Sequence, residues 1–161
     1  MNESKHNLSI VLVEPEIPPN TGNIARTCAA TGTKLHLVKP LGFSIDDTQV
    51  KRAGLDYWQF VDLELHESLE AFLKQYPDRP KYLATTKGGR AHTDVQYESD
   101  AMLIFGRETA GLPGDFIEAN PDKTIRIPMS GDVRLRSLNL SNSAAIVVYE
   151  ALRQMDFPGL R

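Results

Sequence analysis

Short apolar, β-rich runs alternate along this chain with stretches of helical spacing. LSIVLV (8–13), KLHLV (34–38), KYLATT (81–86), AMLIF (101–105) and TIRIP (124–128) read as strands. Most are continuously apolar, so neither face of such a strand is suited to water. A mostly parallel sheet flanked by helices on both sides is the architecture that accepts them, an α/β fold. Residues 20–31 and 66–76 are predicted helical, and Pro113 opens a short helix through about Ala119. In 66–76, Leu69, Phe72 and Leu73 form the buried stripe, while Glu67, Glu70 and Lys74 face solvent. The last helix is N-capped by Ser141 and buries Ala144, Val148, Ala151, Leu152 and Met155. It leaves Glu150, Arg153 and Gln154 outward and stops at Pro158-Gly159. Tyr149 breaks its pattern as an amphipathic aromatic, equally suited to a core edge, a subunit interface or a stacking contact.

A length of 161 residues suits one domain, 1–161, without a linker. Nothing approaches the ~20 apolar residues of a bilayer span, so no membrane partner and a cytoplasmic location are expected. Net charge is −3, which confines any nucleic-acid contact to local basic groups. Lys51-Arg52, Lys87 with Arg90, and Lys123, Arg126, Arg134 and Arg136 are the candidates. Cys28 is the only cysteine, which excludes an intrachain disulfide and a thiolate zinc cluster. Among Ala25, Ala29 and Ala30 it reads as a small core residue. His6, His36, His66 and His92 lack metal spacing or a serine-elbow partner and read as surface or strand residues. Asp46-Asp47 reads as a turn.

Three segments exceed what packing requires. In EPEIPPNTGNIARTC (14–28), Asn20 is placed to cap a helix whose first turn holds Thr21, Gly22 and Asn23, with Arg26 near Asn23 by the three-residue spacing. This is either a capped helix with an exposed arginine or a phosphate site at a helix N-terminus. FGRETAGLPG (105–114) follows an apolar strand, and Gly106, Gly111 and Gly114 permit close backbone approach or positive φ. It is a ligand loop or a plain turn, and neither a dinucleotide nor a P-loop fingerprint is present. IPMSGDVRLRSLNLSNSAA (127–145) joins a strand end, a Gly-Asp turn, two arginines and a Ser/Asn-rich run leading into the last helix. That density is loop and cap chemistry or a pocket wall.

Together and in this order, the segments resemble the three motifs of the SPOUT superfamily of RNA methyltransferases. PPNTGNIAR (18–26) is similar to its first motif, LIFGRETAGLP (103–113) to its second, and IPM with RSLNLSNSA (127–129 and 136–144) to its third. The nearest likeness is to the single-domain TrmL branch, the tRNA (cytidine/uridine-34) 2′-O-methyltransferases. RAGLDY (52–57), TTKG (85–88) and VVYEALRQ (147–154) extend it over nearly the whole chain. One departure is a longer SGDVRLR insertion (130–136), which leaves Arg134 and Arg136 as alternative counterparts of the family arginine.

The resemblance implies a C-terminal deep trefoil knot, a homodimer, and S-adenosylmethionine held in the knot largely by backbone groups. By matching positions these belong to Ala84, Gly106, Ile127, Ser137 and Leu138. The implied reaction is 2′-O-methylation of the wobble nucleotide, position 34, in the tRNA anticodon loop, releasing S-adenosylhomocysteine. The sulfonium carries the leaving-group chemistry, so no metal is called for. The family gives its first-motif arginine, here Arg26, the central catalytic part. A guanidinium has no lone pair to offer, so Arg26 is expected to hold the target phosphate and polarise the hydroxyl while phosphate or water takes the proton. Asn23 and Asn139 are its expected polar support. Arg52, Lys87 and Arg107 are candidate RNA-phosphate contacts, and Tyr57, Trp58 and Tyr149 candidate stacking platforms or buried aromatics. The rival readings are a 2′-O-methyltransferase of another tRNA or rRNA site, a non-catalytic RNA-binding SPOUT module, and, disfavoured by the missing fingerprints, a small-molecule nucleotide enzyme.

Overall fold

The structure, a computed structural model, describes residues 5–46, 48, 52 and 58–161. Its strands are β1 (Ser9–Val13), β2 (Lys34–Val38), β3 (Leu63–His66), β4 (Lys81–Ala84), β5 (Arg90–Ala91), β6 (Met102–Phe105) and β7 (Thr124–Arg126). They form one sheet in the order β3-β2-β1-β6-β4-β7-β5, and every described pairing is parallel.

The continuous apolar runs follow from having both faces covered. Ile10 and Leu12 of β1, Leu35 and Leu37 of β2, and Leu103 and Phe105 of β6 join one buried cluster. On that side lie α1 (Pro18–Thr31) with Ile24, Ala25 and Cys28, and α4 (Leu140–Gln154) with Ala144, Val147, Val148, Ala151 and Leu152. The alternate residues Val11, Val13, Val38, Met102 and Ile104 pack on the opposite face with Phe72 of α2 (Leu69–Gln75). Phe116 and Ile117 of α3 (Gly114–Glu118) border that second cluster. Cys28 is buried, as expected of a core residue, and burial pushes its thiol up.

Several expectations change. Residue 66 belongs to β3 rather than to the next helix, which starts at Leu69 because the Ser68 hydroxyl accepts from Ala71 N at 3.0 Å. On α4, Gln154 does not face outward. Its amide donates to Val95 O (2.8 Å) and accepts from Tyr97 N (2.9 Å), tying the helix to the strand-like segment before β6. Glu150 is drawn in with it, accepting from Arg153 and from Gln154. His36 and His66 are strand residues, on β2 and β3, as expected, whereas His6 and His92 are buried and not on the surface. No described helix is long and apolar enough to cross a membrane.

Candidate active site

The three segments meet at the carboxyl ends of β4, β6 and β7, where ligands of parallel α/β sheets gather. There they wall a cleft of about 840 Å3. Beyond β6 the chain doubles back on itself: Gly111 N donates to Arg107 O at 2.8 Å, and the two residues form an antiparallel bridge. A Cβ on Gly106 would stand 2.0 Å from the Gly111 carbonyl carbon and 2.1 Å from Leu112 N, so only glycine fits. Gly111 itself takes φ 71°, the left-handed region that glycine enters without a steric cost. Gly114 needs neither freedom and simply opens α3.

α1 begins at Pro18, two residues before the expected cap. Pro18 and Pro19 lack the amide hydrogens that a first helical turn leaves unpaired, and Ile17 at the N-cap makes no side-chain bond. A carboxylate from the second segment collects the two backbone donors just ahead of that turn and the Asn20 side chain. Glu108 Oε1 accepts from Glu16 N (2.8 Å), and its Oε2 accepts from Ile17 N (3.0 Å) and Asn20 Nδ2 (3.1 Å). Glu16 returns the contact, its Oε1 accepting from Thr109 N (3.0 Å) and Thr109 Oγ1 (2.8 Å). The Thr109 hydroxyl and then its amide hold the Glu16 carboxyl below its ordinary range.

Asn20 is therefore a connector and not a cap. It is 6% exposed, and its Oδ1 accepts from Asn139 Nδ2 at 3.0 Å. Asn139, rather than Ser141, caps α4, with Oδ1 accepting from Ser141 N (2.8 Å) and Asn142 N (3.3 Å). The amide orientations are forced: an ionised carboxylate only accepts, so Asn20 turns its NH2 to Glu108 and its oxygen to Asn139. One hydrogen-bonded chain thus runs from Glu108 through Asn20 and Asn139 into α4 and joins all three segments.

Within the third segment Asp132 accepts from the Arg134 backbone and pairs with its guanidinium at 2.6 Å, leaving that side chain 84% exposed. Arg136 instead lines the cleft and donates to Ser130 O and Gly131 O. Of the two arginines left open by the sequence, Arg136 is the one at the cleft.

Ala84, Lys87, Gly106, Arg107, Ile127, Ser137, Leu138 and Asn139 all line the cleft. Asn23 and Arg26 do not; both are exposed on α1, whose first turn reaches the cleft through Asn20. Arg52 is exposed, and Tyr149 is 44% exposed on α4; neither lines the cleft. Lys51 and Tyr57 lie outside the described residues. Trp58 is half-buried against the core, which makes it a packing residue and no open platform. Sequence reasoning missed Glu16, Glu108 and Thr109. The available signal was a pair of carboxylates, one just before the double proline and one two residues after Gly106, where donors and acceptors are locally out of balance.

Relatives of this arrangement are known. A Yersinia pestis protein named tRNA (cytidine(34)-2'-O)-methyltransferase is 53% identical over 158 residues, 94% of this chain and 96% of its own. A solved structure concerned with the 2-OH methylation of C/U34 on tRNA superposes with TM-score 0.88 at 44% identity, covering 94% of this chain and 97% of that one. The SpoU methyltransferase AviRb of Streptomyces viridochromogenes, solved with AdoMet, gives TM-score 0.78 at 25% identity, over 94% of this chain and 59% of that one. Residues 7–149 match the model of the SpoU rRNA methylase family, and the chain belongs to that family.

Proposed function

We infer that this protein transfers a methyl group from S-adenosylmethionine to the ribose 2′-hydroxyl of nucleotide 34, cytidine or uridine, in tRNA. What carries the reading is the convergence of the three segments on one cleft in a chain 53% identical to an enzyme named for that reaction. The residues present fit the cofactor. The cleft has the volume of a small-molecule site, apolar walls from Leu112, Ile125 and Leu138, and loop backbone freed for contact by Gly106. Ala84, Gly106, Ile127, Ser137 and Leu138 would hold it. When bound, it supplies a sulfonium-activated methyl group and leaves as S-adenosylhomocysteine.

The chain's own residues then have two tasks, alignment and proton handling. Arg26 grips the phosphate beside the target and polarises the 2′-hydroxyl, with Asn23 next to it on α1. Phosphate or water accepts the hydroxyl proton as the new O–C bond forms. Asn139, held by Asn20, fixes the third segment against the first. Arg52, Lys87 and Arg107 contact RNA phosphates, and Tyr149 offers a stacking face for an unstacked base of the anticodon loop.

The protein acts in the cytoplasm as a single-domain homodimer with a C-terminal trefoil knot. Exposed Ile146 on α4, and exposed Ile17 and Leu138 beside the Asn20–Asn139 bond, support the dimer. Support for the knotted threading comes from the strand order, in which β6 lies between β1 and β4 and β7 between β4 and β5. The variant Arg26→Lys keeps the charge and loses the planar fork. It should lower methyl transfer to tRNA by about tenfold or more, ~1.4 kcal/mol in the barrier. A wild-type rate in Arg26→Lys overturns the role given to that side chain.

A further inference from the structure

His36 and His66 stand on the neighbouring parallel strands β2 and β3, with Glu64 two residues before His66. Strand residues two apart share a face, and the register sets His36 opposite Glu64, so the backbone itself gathers the three side chains. His36 Nδ1 and His66 Nε2 share a hydrogen bond of 2.9 Å, which a bound cation would replace, displacing its proton. The Glu64 carboxylate completes the triangle, Oε1 at 3.8 Å from His36 Nδ1 and Oε2 at 3.8 Å from His66 Nε2. Tetrahedral zinc with bonds of ~2.0–2.2 Å sets its ligand atoms about 3.3–3.6 Å apart, so the observed separations fall on either side of that range. The imidazoles are 0% and 2% exposed, and Phe72 and Tyr76 pack edge-on against them.

The surroundings of the triangle are those of oriented ligands. His36 Nε2 lies 3.2 Å from Ser9 Oγ; with the proton there, the Nδ1 lone pair faces inward. Glu64 is fixed by Tyr76 Oη (2.6 Å), Gln75 Nε2 (2.6 Å) and Lys34 Nζ (2.9 Å). We propose that His36, Glu64 and His66 bind a single divalent transition-metal cation of the zinc class. Two imidazoles and one carboxylate leave the fourth position to water, on the side where Glu64 is open to solvent. The sequence hides this set because two ligands share a strand at period two and the third comes from the preceding strand. None of the three lines the cleft, so the cation takes no part in methyl transfer; it fastens the edge strand β3 to β2. Lys34 competes with it for Glu64.

The full chain, stripped with chelator, is titrated with Co2+ under visible absorption and with Zn2+ under calorimetry and thermal unfolding. One equivalent of Co2+ should give tetrahedral bands that Zn2+ bleaches, and Zn2+ should raise the unfolding midpoint. His66→Gln should abolish both responses while keeping the far-ultraviolet circular dichroism of the wild type. Tyr76→Phe should weaken binding about tenfold through loss of Glu64 orientation, and Lys34→Met should tighten it. The proposal is overturned if the wild type gives no saturable Co2+ spectrum, or if binding is unaltered in both Tyr76→Phe and Lys34→Met.

Discussion

Glu108 receives three donors at the point where two prolines leave the start of α1 without its usual amides. Replacing it by glutamine substitutes an NH2 for one acceptor oxygen and turns it toward a backbone amide or the Asn20 side chain, donor against donor. Glu108→Gln should therefore cost about 1–3 kcal/mol in chemical denaturation. The same variant should methylate tRNA more slowly, because Asn20 loses the partner that aims it at Asn139. Arg26 and Asn23 are legible in the sequence as a polar pair on a helix face, since their spacing is local. Glu108 is not, because what it binds arrives from a segment far away in the chain. Asn20 misleads for the same reason: Asn before a helical run signals a cap, and only the fold shows that its side chain is already engaged by Glu108 and Asn139.

The elements most legible in the sequence are those whose two faces are both apolar. β1 alternates Ile10 and Leu12 on one side with Val11 and Val13 on the other, and this makes a run that no solvent-facing strand would carry. β3 and β5 escape notice for converse reasons. The Leu63–His66 segment, LELH, lies at the sheet edge and carries a half-exposed pattern, and β5 has only Arg90 and Ala91. The start of α4 reads two residues late because Asn139 and Ser141 are both competent caps, and the Asn20 contact chooses Asn139. α2 is short, and Phe72 is its one fully buried side chain, packed against the two histidine rings. Phe72→Ala should cost about 3–5 kcal/mol, the range for a truncated core aromatic. Thermal or denaturant unfolding measures it; a loss well under 1 kcal/mol would mean that α2 adds little to the second core.

On the scale of the molecule, the parallel sheet brings the three loops to one end, and the carboxylate clamps between Glu16, Thr109, Glu108 and Asn20 hold them in register. The likeness of the motifs to a known family predicts the occupant and the reaction. The sheet order and the clamp account for why residues so distant in sequence wall one cleft. Net charge of −3 leaves tRNA recognition to local basic groups; Lys87 and Arg107 line the cleft and are the phosphate contacts we propose. The central claim is the nucleotide modified. Total RNA from cells lacking this gene is incubated with the protein and labelled S-adenosylmethionine, separated into tRNA and ribosomal RNA, digested, and mapped by mass spectrometry. The account predicts label on the 2′-oxygen of nucleotide 34. Label at another tRNA position, or none on tRNA together with label on ribosomal RNA, contradicts it.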